Sequence, residues 1–573
     1  MRTGWLVFLV GLIALWSACE TEKTDTPQPE ATGSTAPATG GIELNIVYGS
    51  EKKAWLQDAI QAFNASPAAK LDGKPIVVKG TPMGSGVIIS EVVDGKTQPD
   101  VWSPASDLFR PLLNEAWTKK HGAAGGQKVV APEGKRLVLT PLVIAMWKPM
   151  AQALGWPDKP VGWSDVLALS TDKKGWQSKG HPEWGLFKFG HTHPKFSNSG
   201  LLSVVAEAYA AVGETRGLTR EKLQDEKVAR FMRDIEGSIV HYGESTGFFA
   251  DKMLTRGPSF LSAAVIYENL VVDSYRRPEF QKRELDIVAI YPKEGTFWND
   301  HPYIVLDAPW VTEPKRKAAK VFLDFLLSEA QQRRAMTEYG FRPADPAIAV
   351  AAPIDAAHGV DPKQPKTLLD TPEADVVNAA LDLWMKTKKT VDIMFVFDRS
   401  GSMQGDPLAK AKVGAKEFLS QLDDRDRVSL LPFNNIVPEA VDDPVELTKA
   451  RDKITQGVDG IFADGGTALY DAIAAAHKKL DGAAKKEPKR IYAMVVLSDG
   501  LDRDSRTSID ALEQQIAVSE EATSPPVRLF TIAYGAEADP ATLARIAERG
   551  GGASFKGDTA SISEIYRGLA SFF

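Results

Sequence analysis

Cysteine is all but missing from this 573-residue sequence: Cys19 is the single one. It excludes an internal disulfide and any cysteine-built metal cluster. Long apolar runs are missing too. The longest, Trp5 to Trp16, falls short of the roughly 18–20 residues a membrane-crossing helix needs. There is no basic surplus: 68 Lys and Arg stand against 75 Asp and Glu, for a net charge of −7. That balance argues against nucleic acid as a partner, since phosphate recognition wants a basic face. No Gly-x-x-x-x-Gly-Lys phosphate loop occurs either.

What is present begins at the N-terminus. Arg2 precedes the Trp5–Trp16 run, and Ser17-Ala18-Cys19 follow it. A run of this length suits the core of a signal peptide. The arrangement resembles a bacterial lipobox, with Trp16 standing where that motif usually has Leu. The resemblance implies a lipoprotein signal peptide over 1–19, lipid on Cys19, and contact with the membrane through that lipid only. The expected location is the cell envelope, on the periplasmic or extracellular face. Residues 20–41 are rich in Thr, Pro, Glu, Ala and Gly and hold no aromatic residue. Such a stretch buries too little to fold and reads as a disordered tether.

From Ile42 the texture becomes alternating strand and helix, an α/β architecture. Ile42 to Tyr48 alternates as a strand and stops at Gly49-Ser50, and Trp55, Ala59, Ile60 and Phe63 then recur at helical spacing. Leu137 to Trp147 reads as an apolar strand and Ala318 to Leu327 as a helix. A second part opens at Val391: Ile393 to Phe397 is continuously apolar, as in a parallel strand buried on both faces. Val428–Phe433, Ile491–Leu497 and Val527–Ala533 read as further strands. Asp406 with Pro407, and Asp539 with Pro540, read as helix starts with Asp as the cap. The expected organisation is a folded domain over 42–389 and a doubly wound domain over 390–573.

Directly behind the first strand of the second part stands Asp398-Arg399-Ser400-Gly401-Ser402. Gly465-Gly466-Thr467 opens a helix, and Ser498-Asp499-Gly500 closes another strand. Ligands in open α/β sheets bind at the carboxyl ends of the strands. Three hydroxyls and two carboxylates form a hard, oxygen-only donor set that suits Mg²⁺, with Mn²⁺ or Ca²⁺ as alternatives, and not zinc or copper. The pattern resembles the metal-ion-dependent adhesion site of von Willebrand factor A-type domains, with all five positions filled. The resemblance implies that Ser400, Ser402 and Thr467 coordinate the ion, while Asp398 and Asp499 hold its waters or support it from behind. A cation with mostly neutral ligands would seek an acidic side chain from a protein partner.

Residues 42–389 resemble bacterial extracellular solute-binding proteins of the type II class, in texture and in several short segments. Ile46 to Ser50 looks like the first strand and its ligand loop, and Tyr339 to Pro343 like the late helix and turn. The resemblance implies two α/β lobes with a cleft for a small polar or anionic solute. Gly49 and Ser50 are cleft candidates. So are His193, Lys195, Ser197, Asn198 and Ser199, with Ser199 expected to cap a helix whose N-terminus would face an anionic oxygen. Glu268 is a further one. His191 and His193, without a third ligand nearby in sequence, read as surface or hydrogen-bonding residues.

Together these readings describe a surface lipoprotein that binds and does not catalyse, docking a partner's carboxylate through its metal. The alternative is the receptor of an ABC importer with an accessory A-type domain. A metal-dependent phosphohydrolase would want Asp-x-Asp behind the strand, and position 400 is Ser.

Overall fold

A computed structural model describes residues 41–122, 131–240, 242–280, 283, 285–518, 526–535 and 537–573. Cys19, the leader and all of the tether but Gly41 therefore lie outside the described residues. Among the described residues no helix is long and apolar enough to cross a membrane. Ile42–Phe573 form one compact unit.

The unit is carried by three six-stranded sheets. The first runs Lys70–Leu71, Lys74–Pro82, Ile42–Tyr48, Val101–Ser103, Pro302–Val305 and Lys135–Arg136. Leu44 and Ile46 point to its buried face, as period-2 alternation requires. The helix Lys53–Asn64 lays Trp55, Ala59, Ile60 and Phe63 on the same core. There Phe63 meets Phe322 of the helix Glu313–Leu326 at a centroid distance of 4.9 Å.

The second sheet is centred on Val138–Trp147, which pairs with Trp298–Asn299, Ala263–Tyr267, Ile287–Ile290 and Arg342–Pro343. Phe189–Gly190 lies on the far side of Ala263–Tyr267. The chain passes between these two sheets more than once, so they form two lobes, and the expected crevice corresponds to the buried polar seam where they meet.

In the third sheet the order is Val445–Glu446, Arg427–Phe433, Val391–Asp398, Ile491–Ser498, Val527–Tyr534 and Ala553–Gly557. All neighbours are parallel except the short Val445–Glu446 edge. The central Val391–Asp398 strand is buried throughout. Phe395 and Phe397 go to one face with Phe418 and Tyr566, while Met394 and Val396 go to the other with Leu469 and Ala476. Helices on both faces explain the unbroken apolar run, since neither face meets water.

Two expected helix starts shift. Asp406 is the first residue of Asp406–Gln421, and Gly405, at φ 88°, takes the cap position that a non-glycine residue would occupy under strain. Ser199 lies inside Asn198–Val212, whose cap is Ser197. The helix Ala374–Thr387 leads into the third sheet. Its Trp384 is buried in the core of the second lobe, and Lys388 Nζ donates to the Phe573 oxygen at 2.8 Å. Arg256 donates to Gly551 O and Gly552 O at 3.1 and 2.6 Å, so the last sheet is tied to the second lobe.

Candidate functional site

Two of the loops meet because the strands before them, Val391–Asp398 and Ile491–Ser498, are adjacent and parallel; the third, Gly465–Thr467, runs between the helices Leu447–Asp459 and Leu469–Lys486. Their backbones join them further: Arg399 N donates to Phe433 O at 2.9 Å, Gly401 N to Gly465 O at 2.9 Å, and Asp464 N to Arg399 O at 2.8 Å. Gly466 has no room for a side chain, because a Cβ there would lie 2.0 Å from Asp504 Oδ2. That same oxygen accepts the Thr467 backbone N–H at 2.7 Å.

The side chains converge accordingly. Ser400 Oγ and Ser402 Oγ are 3.1 Å apart, and both donate to Asp499 Oδ1, at 3.4 and 2.9 Å. A Cβ on Gly500 would be 3.6 Å from Thr467 Oγ1 and 4.0 Å from Ser402 Oγ, which sets both hydroxyls beside one glycine. Asp398 stands behind: its Oδ1 accepts from Ser400 N at 2.8 Å and its Oδ2 from Ser498 Oγ at 2.6 Å. Burial grades outward, with Asp398 and Ser400 buried and Ser402 exposed.

Two carboxylates here are uncomfortable. Burial raises Asp499 to about 6, helped by the charge of Asp398. Asp398 is raised by burial too, against hydrogen bonds from Ser498 and Ser400. The donor set fits a divalent ion: oxygen separations near 3 Å match the edge of an octahedron with ligands at about 2.0–2.1 Å. An ion there would also relieve the paired negative charges. Ser498 and Asp504 were not legible as part of this site. Ser498 only reads as the polar end of a strand, and Asp504 acts from a separate turn.

The crevice candidates divide. Gly49 N donates to Ser103 O at 3.0 Å, and a Cβ on Gly49 would lie 2.4–2.5 Å from the Glu51 carboxylate oxygens. Ser50 opens the turn Ser50–Lys52, which meets the start of the helix Thr246–Arg256. Ser197 Oγ and Thr246 Oγ1 are 3.2 Å apart, Thr246 donates to Ser199 Oγ at 2.9 Å, and Ser199 Oγ lies 2.7 Å from Thr192 Oγ1. Asn198 Nδ2 donates to Tyr267 Oη at 2.8 Å and to Asn299 Oδ1 at 2.6 Å. These residues share one polar seam.

His193, Lys195 and Glu268 do not join them. The His193 ring packs edge-on to Trp384, its Nδ1 accepts from Lys195 N at 3.2 Å, and burial holds its pKa well below the usual value. Burial lowers Lys195, and the charges acting on it are those of Lys388, Asp423 and Asp382, on the linking helix and the last domain. Glu268 is already claimed: Arg342 donates to its two oxygens at 2.7 and 2.6 Å, and Tyr291 donates as well.

The crevice also holds a group that sequence reasoning missed. Lys52 is fully buried; its Nζ donates to Glu51 Oε1 at 2.6 Å and to Pro104 O at 3.3 Å, and lies 3.1 Å from His301 Nδ1. Burial alone would raise Glu51, but Lys52 and His301 bring it down to about 2. Burial, then the charge of Lys52, holds His301 at about 4. The available signal was the position of Glu51-Lys52 directly behind the Gly49-Ser50 loop.

A second missed motif is Gly243-Glu244-Ser245-Thr246-Gly247, which has the Gly-x-Ser-x-Gly spacing of a hydrolase elbow. Ser245 is the cap of Thr246–Arg256, and Gly243 makes only an isolated bridge to Thr192. The strand-to-helix turn that exposes such a nucleophile is not met.

Comparison with known proteins agrees with this layout. Residues 44–342 match the family model for a bacterial extracellular solute-binding protein, and residues 392–567 match that for a von Willebrand factor type A domain. An uncharacterised protein of Mycobacterium tuberculosis is 21% identical over 536 residues, covering 87% of this chain and 71% of the relative. The human inter-alpha-trypsin inhibitor heavy chain H4 is 27% identical over 172 residues, 28% of this chain and 17% of its own. Among solved structures, the periplasmic binding protein P5PA is 16% identical, covers 61% of this chain and 100% of its own, and has a TM-score of 0.40. A von Willebrand factor type A protein of Catenulispora acidiphila is 21% identical, covers 32% of this chain and 42% of its own, and has a TM-score of 0.27.

Proposed function

This chain belongs to the bacterial extracellular solute-binding protein family and carries a C-terminal von Willebrand factor type A domain, and from that premise we propose that it is an exported, lipid-anchored binding protein. Both modules are of binding types. In this reading Ser400, Ser402 and Thr467, backed by Asp398 and Asp499, hold Mg²⁺ at the strand edge. The ion then docks a carboxylate of a protein partner. Cys19 carries the lipid, and no step of catalysis is involved.

The observation that carries the reading is the convergence of Ser400, Ser402 and Asp499 within 2.9–3.4 Å on the open side of the sheet. Three exposed apolar side chains stand on loops of the same edge: Ile436, Phe462 and Leu501, at 65, 66 and 48% exposure. They suit a partner that places an acidic side chain beside apolar ones.

The test uses immobilised full-length protein and envelope extract from its source. Capture should require Mg²⁺, disappear with EDTA, and weaken strongly in Asp398→Ala, whose Mg²⁺ affinity should fall by roughly 10–100-fold in calorimetry. Capture indifferent to both treatments would remove the metal-docking reading.

A second reading, the receptor of an importer, draws on the crevice. Asn198 Oδ1, Ser103 Oγ and His301 Nε2 are buried with no hydrogen-bond partner among the described residues, and a small polar solute would satisfy such groups. It requires a solute-dependent thermal shift that survives EDTA.

A further inference from the structure

The second lobe contains a polar cluster that neither binding reading uses. His191 follows the strand Phe189–Gly190, Glu207 lies in the middle of Asn198–Val212, and Glu236 ends the helix Glu226–Glu236. One ligand atom from each lies within 4.8 Å of the others, and all three residues have no solvent exposure. Glu207 is conspicuous on its helix, where Leu201, Leu202, Val204, Val205, Ala206 and Ala208 are buried apolar residues.

Three observations make this more than a pair of acids. First, both oxygens of Glu207 are buried without a hydrogen-bond partner among the described residues. An uncompensated buried carboxylate costs several kcal/mol, and a packing role alone would be served by Gln or Leu.

Second, the histidine is oriented as a ligand. Its Nδ1 lies 2.7 Å from Thr192 O, and a carbonyl only accepts, so the proton is on Nδ1. In the neutral ring Nε2 then presents a lone pair toward Glu236 Oε1, 2.9 Å away. Two acceptors face each other at that distance only with a proton or a cation between them. A backbone carbonyl on the far ring nitrogen is also the usual way a metal-binding histidine is held.

Third, among the described residues neither carboxylate has a Lys or Arg ion-pair partner, although the charge of buried Lys389 is felt at Glu236. Among the described residues the sole ion-pair partner within reach of Glu236 is His191 itself. Tyr242 donates its hydroxyl to the other oxygen of Glu236. Lys389 donates to Ile239 O at 3.1 Å.

We propose that His191, Glu207 and Glu236 form a buried structural site for a divalent transition metal, Zn²⁺ in first place. One neutral imidazole and two carboxylates balance a doubly charged ion, and mixed nitrogen and oxygen donors select zinc-like metals over Mg²⁺. Tetrahedral zinc, with ligands at 2.0–2.2 Å, separates them by about 3.3–3.6 Å, so atoms already within 4.8 Å need only side-chain adjustment. The closed setting makes the ion a clamp: it would join the end of the strand Phe189–Gly190 to two helices next to Tyr242, whose ring packs against Trp384 of the linking helix. The inference is independent of the strand-edge site and survives if that reading fails.

The experiment takes full-length protein, stripped with a strong chelator, in excess Mg²⁺ so that the strand-edge site stays saturated. Zn²⁺ is then added and read by calorimetry, elemental analysis and thermal unfolding. Wild type should bind one Zn²⁺ per chain and unfold several degrees higher with it. Glu207→Gln, which keeps the shape and removes the charge, should lose that equivalent and the thermal response together. His191→Gln should do the same, and Co²⁺ in the wild type should show a visible spectrum of nitrogen and oxygen ligation, distinct from that of the aqueous ion, even if a variant fails to fold. Wild type that takes up no more Zn²⁺ than Glu207→Gln, or a Co²⁺ spectrum of a purely aqueous ion, overturns the proposal and leaves Glu207 as a neutral buried acid.

Discussion

The strand-edge site draws four of its five side chains from loops behind two neighbouring strands of one sheet and Thr467 from a loop between two helices, whereas the interlobe crevice joins groups as distant in the chain as Lys52 and His301. The two also handle charge differently. At the strand edge, burial and mutual repulsion push Asp499 up to about 6, leaving negative charge for an outside cation to neutralise. In the crevice, Glu51 is held down at about 2 by Lys52 and His301. The strand-edge carboxylates face no cation among the described residues that pairs with them, while the crevice answers its own charges. The two polar sites thus differ in whether the opposite charge is supplied from within.

The largest effect that would sharpen this contrast lies at the buried Arg342–Glu268 pair. Arg342→Ala would leave Glu268 buried and unpaired and should cost about 3–5 kcal/mol in denaturant unfolding. A cost near zero would mean that Glu268 is not held by the fold and is free to meet a solute.

Next comes acid sensitivity. His301 is held at about 4, below its usual 6.5, so between those values the unfolded chain takes up a proton that the folded chain refuses. Stability should therefore rise with pH across that window and fall on acidification. Glu51, lowered to about 2, acts in the same direction: its contribution is present above its usual 4.5 and is lost as pH falls toward 2. His301→Gln should flatten the limb between pH 4 and 6.5 by about 2–3 kcal/mol, read as apparent stability in urea. An unchanged limb would break the picture of a self-neutralised crevice.

The smallest effect concerns the rim of the strand edge. Phe462→Ala should weaken partner capture by about 1 kcal/mol while leaving the Mg²⁺-dependent thermal shift in place. Loss of both together would place Phe462 in the fold and not at a docking surface.

Much of the strand-edge site was legible in the sequence because parallel strands carry their C-terminal loops to one edge by topology. Once Ile393–Phe397 and the later strands are recognised, Asp398, Ser400, Ser402 and Asp499 have few other places to go, while Thr467, on a loop between two helices, came from the motif and not from strand topology. Ser498 and Asp504 escaped because each supports a neighbour and carries no motif of its own. The crevice was half legible. Gly49, Ser50, Ser197, Asn198 and Ser199 fall on its polar seam, but His193 and Lys195 turn toward the linking helix and the last domain. His191 read as a residue without companions, since Glu207 and Glu236 arrive on later helices.

Period and motif by themselves determined which segments are strands and helices, which faces are apolar, and where an oxygen-rich loop follows a strand. Those properties depend on neighbours a few residues away, and the hydrophobic effect acts on them without regard to distant chain. Tertiary structure alone decided the fate of each buried polar group: Glu268 to Arg342, Lys52 to Glu51 and His301, Glu207 to no hydrogen-bond partner among the described residues. A charge removed from water is governed by whatever lies within a few ångströms of it, and folding brings that neighbour from elsewhere in the chain.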